Sequence, residues 1–317
     1  MTVELNYNSE DEMVTLTLTQ FCGPTPGQPE KRPFLIPCAV GLLHPDTGVD
    51  LLDEPNGTTV LRLTEPSQSF TLPAKGCGTN LPVLSFMRQF SAPVRSVVIG
   101  RTVADEAHIM AYDSDSYNQW NAAQSLAALA IVESDLSEEA KGAYLVSTAT
   151  LLNSVLADDK TTDLALVAEI AKVPSTTALG DAVTATGAAV DPTTLAMQRE
   201  ELVTAIGEQM RPQLLGIYQA QYAAQCEQDL DSDTSPFAVG KRAICEMALR
   251  YLMAKPDGAS NGHYSHSHRT LFFALHTTCG SLHVGFECGA MLHRVYNCAR
   301  YETVQRDQEH DQRTCCP

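Results

Sequence analysis

The chain has 317 residues, 38 of them Asp or Glu and 21 Lys or Arg, for a formal net charge of −17. That carboxylate excess excludes a nucleic-acid-binding body, which needs a basic face against phosphate, and equally excludes docking on an anionic membrane. At 44% hydrophobic and 19% charged the composition is that of a soluble globular chain, long enough for about two domains of roughly 150 residues each.

In chain order, the start Met1-Thr2-Val3-Glu4-Leu5 has neither a basic n-region nor an apolar h-region. No run reaches the ~18 apolar residues of a membrane helix, so the expected location is cytoplasmic. The first hundred residues then read as strands. Val14, Leu16 and Leu18 alternate with Thr15, Thr17 and Thr19, the period of a half-buried strand, and Ile36, Cys38, Val40 and Leu42 repeat it. Pro45-Asp46-Thr47-Gly48 and Pro55-Asn56-Gly57 supply turns, and short apolar runs follow at residues 60–63, 70–72, 83–90 and 97–99. Short strands at such spacing, punctuated by Pro and Gly, predict an antiparallel β-sandwich.

From about Asp113 the period lengthens to that of helices. Ser114, Asp115 or Ser116 can cap a helix whose Trp120, Ala123, Ala127 and Ala130 share one face, and on that Ala-rich face Trp120 reads as a core residue. Ser137 with Glu138 and Glu139 opens a second helix, to about Leu156, where early acidic residues complement the helix dipole. A third spans residues 161–172, closed by Pro174. Asp191-Pro192 opens a fourth, running to about Gln225 with a kink or break at Pro212, and a fifth spans residues 235–253. Helices joined by short loops stack as a bundle or an α-solenoid.

Composition changes near the turn signal Pro256-Asp257-Gly258. Residues 1–240 hold 12 basic and 31 acidic residues, whereas residues 241–317 hold 9 and 7, with seven of the nine histidines and six of the ten cysteines. The expected organisation is a sandwich over residues 1–105, a helical domain over 106–255, and a divergent Cys/His-rich tail over 256–317, read as a frameshifted or replaced terminus.

The chain carries no H-E-x-x-H, no Gly-rich phosphate loop, no G-x-S-x-G elbow and no C-x-x-C. Asp105-Glu106-Ala107-His108 lacks the second imidazole that a helical zinc pair needs, so His108 reads as a linker or edge residue. Gly289-Ala290-Met291 begins like an exopeptidase signature, but Leu292-His293 follow where that signature has Glu and Asn. In the tail, His263, His266 and His268 cluster and Cys279 lies four residues from His283. Cys279, Cys288 and Cys298 are too widely spaced for the paired knuckles of a structural zinc site. Adjacent Cys315-Cys316 reads as an end open to unspecific oxidation, and ten cysteines without a secretion signal argue against a disulfide framework. No catalytic, cofactor-binding or metal-ligating residue is assigned.

Three runs in order carry a resemblance. They are Val14-Thr15-Leu16-Thr17-Leu18-Thr19-Gln20 with Thr25-Pro26-Gly27-Gln28; Arg88-Gln89-Phe90-Ser91-Ala92-Pro93-Val94; and Trp120-Asn121-Ala122-Ala123-Gln124-Ser125-Leu126. With Ile217-Tyr218 and Arg250-Tyr251-Leu252 they make about residues 12–254 resemble the bacterial-type alanyl aminopeptidase (aminopeptidase N) family. The resembling parts are its immunoglobulin-like sandwich and the start of its C-terminal helical domain.

The resemblance implies a zinc metallopeptidase that removes N-terminal residues from peptides, with zinc polarising the scissile carbonyl. It also implies that the zinc ligands and general base lie in a domain preceding the resembling region, so none maps onto this chain. What remains is the part that walls the active-site chamber, and the expected fragment is inactive alone. Possible partners are a separate catalytic metallopeptidase domain or peptides, and the alternative function is a non-catalytic binding module. A helical array ending at about Met253 would also leave an apolar face for self-association.

Overall fold

The computed structural model describes residues 1–132, 137–157, 162–185, 189–228 and 233–254, all within one unit, Met1–Ser260. The tail from residue 256, with its histidines and cysteines, lies outside the described residues, as do Gly289-Ala290-Met291 and Cys315-Cys316.

Seven strands come first: β1 (Thr2–Asn8), β2 (Met13–Thr19), β3 (Ile36–Leu43), β4 (Thr59–Leu63), β5 (Ser67–Pro73), β6 (Val83–Phe86) and β7 (Val97–Val98). They form a four-stranded sheet in the order β5-β2-β1-β7 and a three-stranded sheet in the order β4-β3-β6. The predicted alternation in β2 sets the register. Val14, Leu16 and Leu18 point inward, fully buried, opposite Tyr7, Leu5 and Val3 of β1. Each such burial contributes roughly 1.5–3 kcal/mol. The intervening threonines face outward, where Thr17 and Thr19 share hydrogen bonds of 3.0 Å with Ser69 and Ser67 of β5. Strand β3 is central in its sheet and buried on both faces, so it carries the near-continuous apolar run Cys38–Leu43 that such a position demands.

The sandwich differs from the expectation in three ways. Strand β1 was not anticipated, although Val3, Leu5 and Tyr7 alternate with polar residues. β7 pairs with β1 in parallel, so the sheets are not purely antiparallel. The apolar run 83–90 is a strand only to Phe86, because Met87, Gln89 and Phe90 take left-handed backbone angles that end the ladder.

Eight helices follow among the described residues: α1 (Val103–Tyr112), α2 (Ser116–Ile131), α3 (Ser137–Ala157), α4 (Leu164–Ile170), α5 (Thr176–Ala185), α6 (Pro192–Gln209), α7 (Arg211–Gln228) and α8 (Pro236–Leu252). Side-chain caps explain where they begin. Thr102 and Asp105 form a reciprocal capping box on α1, while Asp115, Asp163, Asp191 and Ser235 each accept a backbone N–H at the starts of α2, α4, α6 and α8. The long helix expected from Pro192 breaks at Met210, because Pro212 has no N–H to continue the ladder. Helices α1 and α5 were not anticipated. Helix α1 packs on α2 and α3, α4 on α8, and α7 on α8, around buried Ile109, Leu126, Tyr144, Leu152, Ile206 and Ile244. The observed order is an immunoglobulin-like sandwich followed by a helical array, as predicted.

Candidate functional site

The sharpest feature lies where the sandwich meets the helices. After β6 the backbone turns through Met87 (φ 61°), Gln89 (φ 57°) and Phe90 (φ 50°). Such angles cost non-glycine residues about 1–2 kcal/mol each and persist only where surrounding bonds hold them. The turn sends Arg88 inward and Phe90 outward.

Arg88 is 1% exposed. Its Nε donates to Ser85 Oγ at 2.8 Å. Nη1 donates to Asn56 O, Gly57 O and Thr58 Oγ1 at 3.0, 3.2 and 3.0 Å. Nη2 donates to Asp50 Oδ1 at 2.7 Å and to Asp113 Oδ1 at 2.8 Å. Gly41 of β3 makes the room, since a Cβ there would collide with the guanidinium. Asp50 belongs to the sandwich and Asp113 follows α1, so one cation ties the two modules together.

Three further residues complete the clasp. Asp115 caps α2 through Oδ1, which accepts Asn118 N–H at 2.9 Å, and its Oδ2 accepts Gln89 N–H at 3.0 Å. Asn118 Nδ2 donates back to Ser85 Oγ at 2.8 Å and to Phe86 O at 3.2 Å. Ser114 Oγ donates to Asp50 Oδ2 at 2.6 Å. Burial pushes the Asp113 carboxyl above its ordinary 3.8, with Arg88 pulling it back, and Asp113 Oδ2 is buried without a hydrogen-bond partner.

These carboxylates hold an internal cation and backbone N–H groups, and so are not free for acid–base work. Among the described residues no group of three or more His, Cys, Asp or Glu is arranged to hold a metal ion, so these residues do not fit a zinc site. The residues singled out from sequence are dispersed. Asp105 closes the α1 capping box, Glu106 pairs with Arg101 at 3.6 Å, and His108 Nε2 donates to His44 O at 3.0 Å. His108 is thus not a linker residue: it sits inside α1, half-buried, and bonds across to the sandwich. Cys38 and Cys245 are free thiols that burial pushes up to about 11 and about 12, which makes them inert.

Trp120 is a correction. It is 39% exposed, because the buried face of α2 runs through Asn118, Ala122, Ala123, Leu126 and Ala127, and Trp120 lies beside that stripe. Its ring lies 6.2 Å from Tyr117, which lies 5.3 Å from the ring of Phe90, itself 52% exposed. The clasp therefore carries an aromatic surface on its outer side. Sequence reasoning missed Arg88 as a functional position. Its signal was a lone cation within the apolar run 83–90.

Two family models match the chain. One, a domain of unknown function (DUF3458) with an Ig-like fold, covers residues 1–98. The other, a domain of unknown function (DUF3458_C) with ARM repeats, covers residues 103–270, more than half of the chain. The chain belongs to the DUF3458_C family. Its sequence is similar to aminopeptidase N of Escherichia coli (strain K12), at 29% identity over 262 residues covering 80% of the chain. In three dimensions this DUF3458_C chain is similar to Legionella pneumophila aminopeptidase A, solved in complex with aspartic acid, with a TM-score of 0.58 at 19% identity over 80% of the chain. At that identity the likeness is one of fold. The chain spans only 28% and 27% of the lengths of these two relatives. Among the described residues no helix is long and apolar enough to cross a membrane.

Proposed function

We propose that this chain is the non-catalytic sandwich-and-helix part of a zinc metallo-aminopeptidase that acts on peptide N-termini, inactive alone and completed by a separate catalytic domain. The observation that carries the reading is the 29% identity to Escherichia coli aminopeptidase N, extending over 262 residues and 80% of the chain. In such an enzyme, zinc polarises the scissile carbonyl when bound. The part played by this chain is to hold the chamber wall rigid through the Arg88 clasp and so to restrict entry to peptides. A cytoplasmic setting is part of the proposal, supported by Cys22, Cys38, Cys77 and Cys245, which all stand as free thiols.

The test is hydrolysis of aminoacyl p-nitroanilides. The purified chain is expected to show none, with or without added Zn²⁺, and to raise the activity of a catalytic polypeptide carrying H-E-x-x-H. Zinc-dependent turnover by the chain alone, or no effect on any such polypeptide, overturns the proposal.

A further inference from the structure

Between β2 and β3 the chain runs through a two-limbed arm, residues 20–35, and its sequence dictates how the limbs align. Pro26-Gly27 forms the tip, with Gly27 at φ 79°, the fixed proline and left-handed glycine that a type II turn requires. Thr25 and Gln28 close the turn with reciprocal backbone bonds of 3.1 and 2.8 Å. At the base, Gln20 Oε1 accepts Phe34 N–H at 2.8 Å, while its Nε2 donates to Phe34 O and Glu65 O at 2.9 and 3.0 Å. Counted outward from the antiparallel Thr25–Gln28 bridge, Cys22 and Lys31 stand three residues beyond it on opposite limbs. Directly opposed residues of an antiparallel pair have Cβ atoms roughly 4.5–5.5 Å apart, so their side chains meet. Here Lys31 Nζ donates to Cys22 Sγ at 3.2 Å.

The chain holds 38 carboxylates, yet among the described residues Lys31 is in no ion pair, and its side chain is spent on the thiol. Of the four described free thiols, Cys22 alone is exposed, while Cys38, Cys77 and Cys245 are buried. An oxidant in solution therefore reaches Cys22 first, and an amine already stands beside its sulfur. We infer that Cys22 and Lys31 form a reversible, peroxide-driven crosslink that locks the arm. The thiol sulfur attacks hydrogen peroxide: the O–O bond breaks, sulfur is oxidised to the sulfenic acid, and peroxide is reduced to water. The Lys31 amine, after giving one ammonium proton to solvent, attacks that sulfur. An S–N bond forms, and the sulfenic hydroxyl leaves with an amine proton as a second water. A dithiol reverses the step: one of its sulfurs displaces the amine, which regains its proton, and the other releases Cys22 as the dithiol becomes a disulfide. Because turn and base already align the limbs, closing the bridge removes little chain entropy.

Tryptic mapping of the full chain tests this. Lys31, Arg32 and Arg62 are the only basic residues in the first 62, and Pro33 protects the bond after Arg32. A crosslinked Lys31 offers trypsin no free ammonium. After peroxide, denaturation with N-ethylmaleimide and digestion without reductant, cleavage after Lys31 is expected to be lost. The product is expected to be peptide 1–62, two hydrogen atoms lighter than its sequence, with Cys38 alkylated and Cys22 not. Dithiothreitol before alkylation is expected to restore cleavage. In Lys31→Arg, whose guanidinium stays protonated and is no nucleophile, dimedone is expected to capture the Cys22 sulfenic acid that the wild type consumes. Undiminished cleavage after Lys31, a disulfide from Cys22 to another cysteine, or equal dimedone capture in wild type and variant overturns the inference. The same crosslink formed equally well in concentrated urea also overturns it, since the folded register would then play no part.

Discussion

A guanidinium removed from water is tolerated only when its donors and its charge are met, and Arg88 meets both with two carboxylates, two hydroxyls and two carbonyls. Removing it leaves Asp113 buried with no cation, which ordinarily costs about 3–5 kcal/mol. Arg88→Met is therefore expected to lower the urea midpoint by that much stability. Arg88→Met with Asp113→Asn is expected to recover part of the loss, because the stranded charge is gone. A second titrating residue sits at the same junction. Burial holds the His108 imidazole below its ordinary 6.5, so the folded chain resists the proton that the unfolded chain accepts. The contribution of His108 is complete above 6.5 and is lost as pH falls below it. The drop in urea midpoint between pH 7.5 and pH 5.5 is expected to shrink in His108→Gln, and an unchanged drop would show that other groups carry it.

At the scale of elements, close approach decides more than propensity does. Gly207 lies in the last turn of α6, and in a helix alanine ordinarily adds up to about 1 kcal/mol over glycine. A Cβ there would collide with the backbone carbonyl of Tyr251 in α8, so Gly207→Ala is expected to lower the melting temperature by several degrees. The same contrast between local and tertiary causes explains what could be read in advance. Strand β2, strand β3 and the Pro-marked starts of α6 and α8 were legible because alternation and caps are local. Helix α1 was not, although Thr102 and Asp105 form a capping box, since the strand reading had been carried through to Ile99. Trp120 was misplaced because the alanines at 122, 123, 127, 128 and 130 lie on more than one side of α2 and leave its buried face ambiguous from sequence. The Arg88 clasp was out of reach, since its partners lie between 3 and 38 residues away and are joined only by the folded chain.

For the molecule as a whole, the clasp decides whether sandwich and helices behave as one body. The two modules have their own apolar cores, Leu16, Leu42 and Leu63 in one and Leu126, Leu152 and Ile206 in the other. Each core alone would support separate unfolding. The bonds that join them include Arg88 to Asp50 and Asp113, Asn118 to Ser85 and Phe86, Gln89 to Asp115, Ser114 to Asp50 and His108 to His44. Buried polar bonds are costly to leave half-made, so rupture of one module strands the groups of the other. Hydrogen exchange along a urea series is therefore expected to show β3 and α2 losing protection at the same concentration. In Arg88→Met the two are expected to part, with one module opening before the other. If β3 and α2 already open separately in the wild type, the junction is a hinge rather than a clasp, and the strained turn at Met87, Gln89 and Phe90 is not what holds the two modules as one body.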